Sequence, residues 1–218
     1  MAGLKVDGAV EKKKDRAAAT RSVVLAGVGG QGTILAANLL ARALLAHGFD
    51  VKTSEVHGMA QRGGSVVSIV RFGESVASPL VPPGEAEAVV ATELLEALRY
   101  IHFLAPGGRA ICSRTRIDPL PVLQGAVEYP EDAGELILKY APDGVIVDAV
   151  EIAAAAGSAR AANTVLLGIL SLSLPVTEEE WLSTIEEVMP GRVVEANHGA
   201  FLAGRALESQ ASPGGEAP

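Results

Sequence analysis

An apolar run that dissolves into glycines, Val23-Val24-Leu25-Ala26-Gly27-Val28-Gly29-Gly30-Gln31-Gly32, leads directly into the Ala/Leu-rich stretch beginning at Thr33. Gly27, Gly29 and Gly32 fit G-x-G-x-x-G, and the strand–turn–helix setting is what gives that spacing meaning. Glycine reaches positive φ without steric cost and lets a ligand approach bare backbone. The opening N–H groups of the helix lack intrahelical partners, and its dipole favours an anion at that end. Gly27, Gly29, Gly30, Gln31 and Gly32 are therefore candidate cofactor-binding residues. Two readings stay open on these residues alone. The loop holds a phosphate or pyrophosphate, or its glycines let strand and helix pack closely.

Around this turn the pattern is that of an α/β chain. The first strand is expected at about Arg21–Ala26 and the helix at Thr33–His47, closed by Gly48. That helix is apolar almost all round, as a helix wedged between a sheet and another layer would be. Phe49–Ser54 reads as a second strand and ends in Glu55, where a dinucleotide fold places its ribose ligand. No ordinary crossover helix begins after Glu55. Val56-His57-Gly58-Met59-Ala60-Gln61-Arg62-Gly63-Gly64-Ser65 is polar and glycine-rich instead. Val66–Phe72 alternates and is β-branched, with Ser75–Ser78 as a possible hairpin partner. Later strands are expected at Ala86–Ala91, Arg109–Ser113 and Gly144–Asp148. A helix capped by Thr92 is expected over Thr92–Phe103, and shorter ones near Asp132–Tyr140 and Ile152–Ala156. Ala162–Leu174, Thr177–Val188 and Glu195–Ser209 read as helices, with Thr177 and Glu180 spaced as a capping box. The expected architecture is a three-layer, Rossmann-like α/β/α domain with a mixed, mainly parallel sheet and a helical C-terminal portion. It spans residues 21–209, between a charged N-terminal tail (1–20) and a C-terminal tail (210–218).

Composition removes several functions. A formal charge of −8 argues against nucleic acid as the partner. Cys112 is the only cysteine, so the chain has no internal disulfide and no cysteine-ligated iron–sulfur cluster. The histidines (His47, His57, His102, His198) lack zinc-like spacing, so no metal ligands are assigned. No apolar stretch reaches membrane-spanning length and no signal-peptide core comes after Met1, which points to a cytoplasmic protein.

The glycine turn followed by Ser54-Glu55-Val56-His57-Gly58-Met59-Ala60-Gln61-Arg62-Gly63-Gly64-Ser65-Val66 resembles the 2-oxoacid:ferredoxin oxidoreductases, specifically their gamma-type domain. Ala162-Asn163-Thr164-Val165-Leu166-Leu167-Gly168 and Glu195-Ala196-Asn197-His198-Gly199-Ala200-Phe201 are similar to later segments of that family. The Met-Ala-Gln-Arg-Gly-Gly wording is similar to the indolepyruvate branch, whose beta subunit is this domain standing alone. The resemblance implies a subunit that is inactive by itself. In the complex, thiamine diphosphate supports oxidative decarboxylation of a 2-oxoacid, coenzyme A accepts the acyl group, and iron–sulfur clusters pass electrons to ferredoxin. Thiamine diphosphate and the clusters would belong to a large alpha subunit. Pro142-Asp143-Gly144 with Asn163 imitates the family's thiamine motif. It lacks the first glycine, is spaced short and precedes its strand, and is rejected.

Within the Glu55–Ser65 loop, Arg62 and His57 are the catalytic candidates. A guanidinium offers a planar fork for a carboxylate or phosphate. An ion pair with Glu55 that merely pins the loop is the alternative. His57 titrates near neutrality and suits acid–base work, or an interface. Glu55, Gly63, Gly64 and Ser65 complete the cofactor-binding candidates. Two further readings stand beside the subunit: a stand-alone NAD(P)-dependent enzyme using the turn and Glu55, and a non-catalytic scaffold that keeps the fold.

Overall fold

The computed structural model describes residues 20–57 and 63–211. The 1–20 and 210–218 tail assignments fall almost wholly outside these residues. Six strands form one sheet: β1 (Arg21–Val28), β2 (Asp50–His57), β3 (Ser65–Gly73), β4 (Ala86–Ala91), β5 (Leu104–Ser113) and β6 (Val145–Val147). Their order is β2-β3-β1-β4-β5-β6. β1, β4, β5 and β6 run parallel, and β3 lies antiparallel to both β1 and β2. One reversed strand therefore interrupts an otherwise parallel sheet. β1 sits centrally, and all of it beyond Arg21 is buried, which is why its sequence is a continuous apolar run rather than an alternating one.

The eight helices among the described residues are α1 (Thr33–Ala46), α2 (Leu94–Tyr100), α3 (Leu120–Leu123), α4 (Ala133–Tyr140), α5 (Ala149–Ala155), α6 (Ala162–Ser171), α7 (Glu178–Val188) and α8 (Gly191–Ala211). Successive residues of a strand face opposite layers. Val23 and Leu25 enter the main core with α1, α6, α7 and α8, including the buried Trp181 and Phe201. Ala26 faces the other way, packing with Ala97 of α2 and Ile137 of α4. The result is three layers, with the thicker one holding the C-terminal helices.

That thicker layer depends on a close helix crossing. A Cβ on Gly168 of α6 would collide with the Phe201 carbonyl, and one on Gly204 of α8 with the Val165 carbonyl. Thr164 donates to Asn197 at 2.6 Å across the same pair of helices. Thr177 and Glu180 form the reciprocal capping box that their spacing predicts.

Three local expectations need correcting. Ser75–Ser78 is loop: β3 already has a strand on each side, so no edge remains for a further hairpin, and Asp50 takes the Val76 N–H at 2.7 Å. Thr92 is not the cap of α2. Glu93 is, accepting from the Glu96 N–H at 2.9 Å, and the helix tightens into a 3-10 turn at Ile101–Phe103. β5 begins at Leu104 rather than Arg109, because the Pro106-Gly107-Gly108 stretch lies within a strand that shifts register against β4.

Candidate functional site

The turn after β1 is held by a circuit of side chains. The Val28 N–H and the Thr92 hydroxyl both donate to Gln31 Oε1, at 2.8 and 2.7 Å. Gln31 Nε2 donates to the Thr92 carbonyl at 3.2 Å, and Asn163 Nδ2 from α6 donates to the Gln31 carbonyl at 2.7 Å. The Gln31 side-chain amide is thus held by the protein at both its oxygen and its nitrogen, and its peptide is fixed with the carbonyl toward α6. Gly30 (φ +102°) and Gly32 (φ +81°) take conformations that side chains disfavour. Gly32 is the N-cap of α1 and offers no side-chain cap, so the first N–H groups of that helix stay available. Gly27 is different: a Cβ there would strike Thr92 Oγ1 and Thr33 Oγ1, so this glycine serves packing.

Beside the turn opens a crevice of about 370 Å³, with Gly30, Gln31 and Gly32 on one wall and Arg160, Ala162 and Asn163 on another. Thr92, Ser113 and Thr115 form its floor. It lies at the carboxyl ends of β1, β4 and β5. The chain leaves β1 toward β2 and leaves β4 toward β5, in opposite directions along the sheet. Open α/β sheets bind ligands at such a switch point. An apolar groove lined by Leu35, Leu39, Met189 and Val193 shares Gln31, Gly32, Arg160 and Asn163 with the crevice.

The sequence candidates divide. Gly29, Gly63 and Gly64 meet: the Gly29 N–H donates to the Gly64 carbonyl at 2.7 Å, and the Gly63 N–H to the Gly29 carbonyl at 3.4 Å. Ser65 faces away from the crevice, and its hydroxyl is engaged by Glu96 and, at 3.1 Å, by the Tyr100 hydroxyl. Glu55 is exposed on the edge strand. With β3 interposed, it stands two strands from β1, roughly 9–10 Å at ordinary strand spacing. His57 ends β2 opposite Val66. Arg62 lies outside the described residues, as does the side chain of His57.

Arg160 joins the site from a part of the chain where no motif marks it. It precedes α6 in the 3-10 turn Ala159–Ala161, and none of the described carboxylates pairs with it. A signal does exist: a cation ahead of a helix N-terminus opposes the macrodipole, a local inconsistency of the kind that marks functional sites.

Behind α2 lies a second polar node, which is structural. Glu93 is 1% exposed and takes the Tyr129 hydroxyl at 2.6 Å and the Ile117 N–H at 3.2 Å. Burial, then the bond to Glu93, pushes the Tyr129 hydroxyl pKa up. Burial, then the Glu93 charge, raises the Cys112 thiol well above its ordinary range. A metal-binding or reactive cysteine needs the reverse environment. No grouping of three or more His, Cys, Asp or Glu among the described residues could hold a metal ion, and no described helix is long and apolar enough to cross a membrane.

The chain belongs to the pyruvate ferredoxin/flavodoxin oxidoreductase family, which residues 22–207 match. It is 40% identical to the indolepyruvate oxidoreductase subunit IorB of Thermococcus kodakarensis, over 84% of this chain and 93% of that one. Among solved structures, the gamma subunit of a keto/oxoacid ferredoxin oxidoreductase from Geobacter sulfurreducens superposes with a TM-score of 0.65. It is 22% identical, and the match covers 88% of this chain and 99% of that one. The 2-oxoglutarate:ferredoxin oxidoreductase of Magnetococcus marinus gives 0.67 at 20% identity, covering 89% of this chain but 32% of that one. The fold is therefore shared by free subunits and by a section of a longer polypeptide.

Proposed function

We propose that this chain is the small subunit of an indolepyruvate-type 2-oxoacid:ferredoxin oxidoreductase, working in the cytoplasm with a large alpha subunit and ferredoxin. The observation that carries this reading is the 40% identity spread over nearly the full length of a relative called an indolepyruvate oxidoreductase subunit. Thiamine diphosphate would supply the carbanion chemistry of decarboxylation, the clusters would remove electrons, and coenzyme A would take the acyl group. Cys112, buried and with its thiol pKa raised, does not fit a cluster, so that chemistry is assigned to the partner. Coenzyme A fits better: the crevice offers open backbone donors and a guanidinium that no described carboxylate neutralises. This chain's part is to complete a cofactor pocket. Asn163 and Gln31 hold the turn, Gly30 and Gly32 leave its backbone bare, and Arg160 supplies charge. Arg62 and His57 stay as candidates for the loop that meets substrate or partner.

The reading as a stand-alone NAD(P) enzyme is disfavoured by Glu55, which stands two strands from the turn instead of beside it. Reconstitution decides the matter. Co-purified with its large subunit, the chain is expected to support coenzyme A-dependent reduction of a low-potential dye by an aryl pyruvate. The chain alone, supplied with thiamine diphosphate, is expected to be inert. Turnover by the single chain, or a stable complex that oxidises no 2-oxoacid, would overturn the proposal.

A further inference from the structure

The start of α2 grips the rest of the molecule twice, at Thr92 and again four residues later at Glu96. Thr92, just before the helix, donates its hydroxyl to Gln31 Oε1 of the glycine turn at 2.7 Å. Glu96, one turn further on, takes the hydroxyl of Ser65 on Oε2. A carboxylate only accepts, so Ser65 gives its one proton to Glu96, and the Tyr100 hydroxyl donates to Ser65 Oγ at 3.1 Å. Arg99, half exposed, donates from Nε to Glu96 Oε1 at 3.2 Å. Both oxygens of the carboxylate are thus occupied.

Glu96 is 5% exposed, and Glu93 and Glu96 are the buried carboxylates among the described residues. Glu93 caps α2; Glu96 does not. Taking a carboxylate out of water is costly even when it is paired, and well-packed apolar groups would hold a strand to a helix as firmly. The same face of β3 continues with Val67 and Ile69, which pack in that way with Val24 and Val89. What a fully hydrogen-bonded polar node adds over apolar contact is one fixed geometry. Here that geometry is imposed at the first residue of β3, which lies opposite Val28, the last residue of β1. Immediately before Ser65 come Gly63 and Gly64. The Gly64 carbonyl accepts the Gly29 N–H at 2.7 Å, and the Gly63 N–H donates to the Gly29 carbonyl at 3.4 Å. Gly29 leads into Gly30, Gln31 and Gly32, which wall the crevice. The route from Glu96 to the crevice is therefore short, through Ser65, Gly64 and Gly29.

We propose that Glu96 is a positioning residue for the oxidoreductase reaction, acting through Ser65 to hold the Gly63-Gly64 stretch against the glycine turn. It does not line the crevice itself. The proposal rests on the subunit reading above for the reaction it serves, whereas the linkage is made wholly of groups in this chain.

The test compares Glu96→Gln, Ser65→Ala and the double variant in the complex with the large subunit, with rates expressed per assembled complex. Glu96→Gln keeps the size of the side chain and removes its charge. Turnover is expected to fall about tenfold or more, as small misplacements around a reacting centre cause, while the KM for the electron-accepting dye stays as in wild type. A merely structural residue would lower the yield of complex and leave turnover per complex alone. Ser65→Ala is expected to match Glu96→Gln, and Ser65→Thr to recover most of that loss. The double variant should be no slower than either single one, since both break the same linkage. In the free chain, hydrogen exchange at Gly29 is expected to quicken in Glu96→Gln while exchange across the α6–α8 crossing is unchanged. Wild-type turnover in both single variants would overturn the proposal, as would losses that multiply in the double variant. Should Glu96→Gln fail to fold, Ser65→Ala and Ser65→Thr decide the matter, and equal turnover in those two would overturn it. A wild-type complex without turnover would sink the subunit reading instead. Exchange at Gly29 then decides alone, and no change there in Glu96→Gln removes the linkage as well.

Discussion

Two sets of glycines in this molecule do opposite work. At the turn after β1, Gly30 and Gly32 have positive φ, and no atom of the described residues lies within 4 Å of where a Cβ on Gly30 would sit. At the crossing of α6 and α8, Gly168 and Gly204 have ordinary helical backbone and no room at all. The first set gives open backbone that a ligand can approach. The second lets two helices touch backbone to backbone. Sequence shows a glycine in both cases. Conformation and free space are what separate a site from a packing device.

Substitutions at the crossing should be the most damaging. Gly168→Ala or Gly204→Ala forces a methyl into a carbonyl of the facing helix, and such overpacking costs about 2–3 kcal/mol. Urea denaturation is the check; a midpoint unchanged in either variant would mean that the helices separate cheaply and that the contrast is unreal. At the turn, Gly30→Ala meets no atom of the described residues and bears the backbone cost, about 1 kcal/mol. Its signature is a modest loss of stability with the fold intact by circular dichroism, and a loss as large as that of Gly204→Ala would erase the distinction.

Asn163 sharpens the comparison, because it holds the turn without being part of it. Asn163→Ala removes one hydrogen bond and is expected to cost about 0.5–1.5 kcal/mol. Hydrogen exchange at Val28 and Gln31, whose N–H groups are bonded within the turn, should rise while exchange across the α6–α8 crossing stays slow. Equal loosening in both places would show that the two regions are one unit. The smallest effect belongs to the far end of α1. Glu180 sits in the Thr177 capping box and against His47 at 2.9 Å. The Thr177 N–H, then His47, holds the Glu180 carboxylate below its ordinary range. A depressed folded value means that the ionised group favours folding above the unfolded carboxylate range. This contribution is lost as pH falls through the folded value. Glu180→Gln should therefore flatten the acid limb of the stability profile and leave both glycine regions untouched. Parallel acid limbs for wild type and variant would count against this account.

Much of the fold is legible in the sequence because its signals are local. The apolar run of β1, the capping box and the helix stop at Gly48 depend on neighbours along the chain. The reversed β3 is readable as a strand, but its insertion between β1 and β2 is not, since strand order depends on distant pairing. That insertion is why Glu55, well placed by counting residues from the glycines, stands away from the turn. The cap of α2 falls one position beyond the expected Thr92. Thr92 is the better capping residue by type, but its hydroxyl is engaged by Gln31 and the cap falls to Glu93. At the candidate site the turn is legible. Arg160 is not, because it comes some 130 residues after the glycines and reaches them only through the packing of α6 on α1.

Glu93 bears on how far this chain needs to be continuous. One of its oxygens, Oε1, receives both the Ile117 N–H and the Tyr129 hydroxyl, and the Arg116 guanidinium lies 4.3 Å from the Tyr129 ring centroid. Between those anchors the chain is largely exposed, with Leu120, Leu123 and Val127 all more than half exposed. Both ends of the segment are thus fastened to the body independently of the peptide bonds between them. A protease that cuts near Gly125 should leave two fragments that stay together on a native gel and melt as one, whereas the same cut in a Glu93→Gln protein should release or loosen the ends. If nicked wild-type protein falls apart, the buried carboxylate caps a helix and does no more.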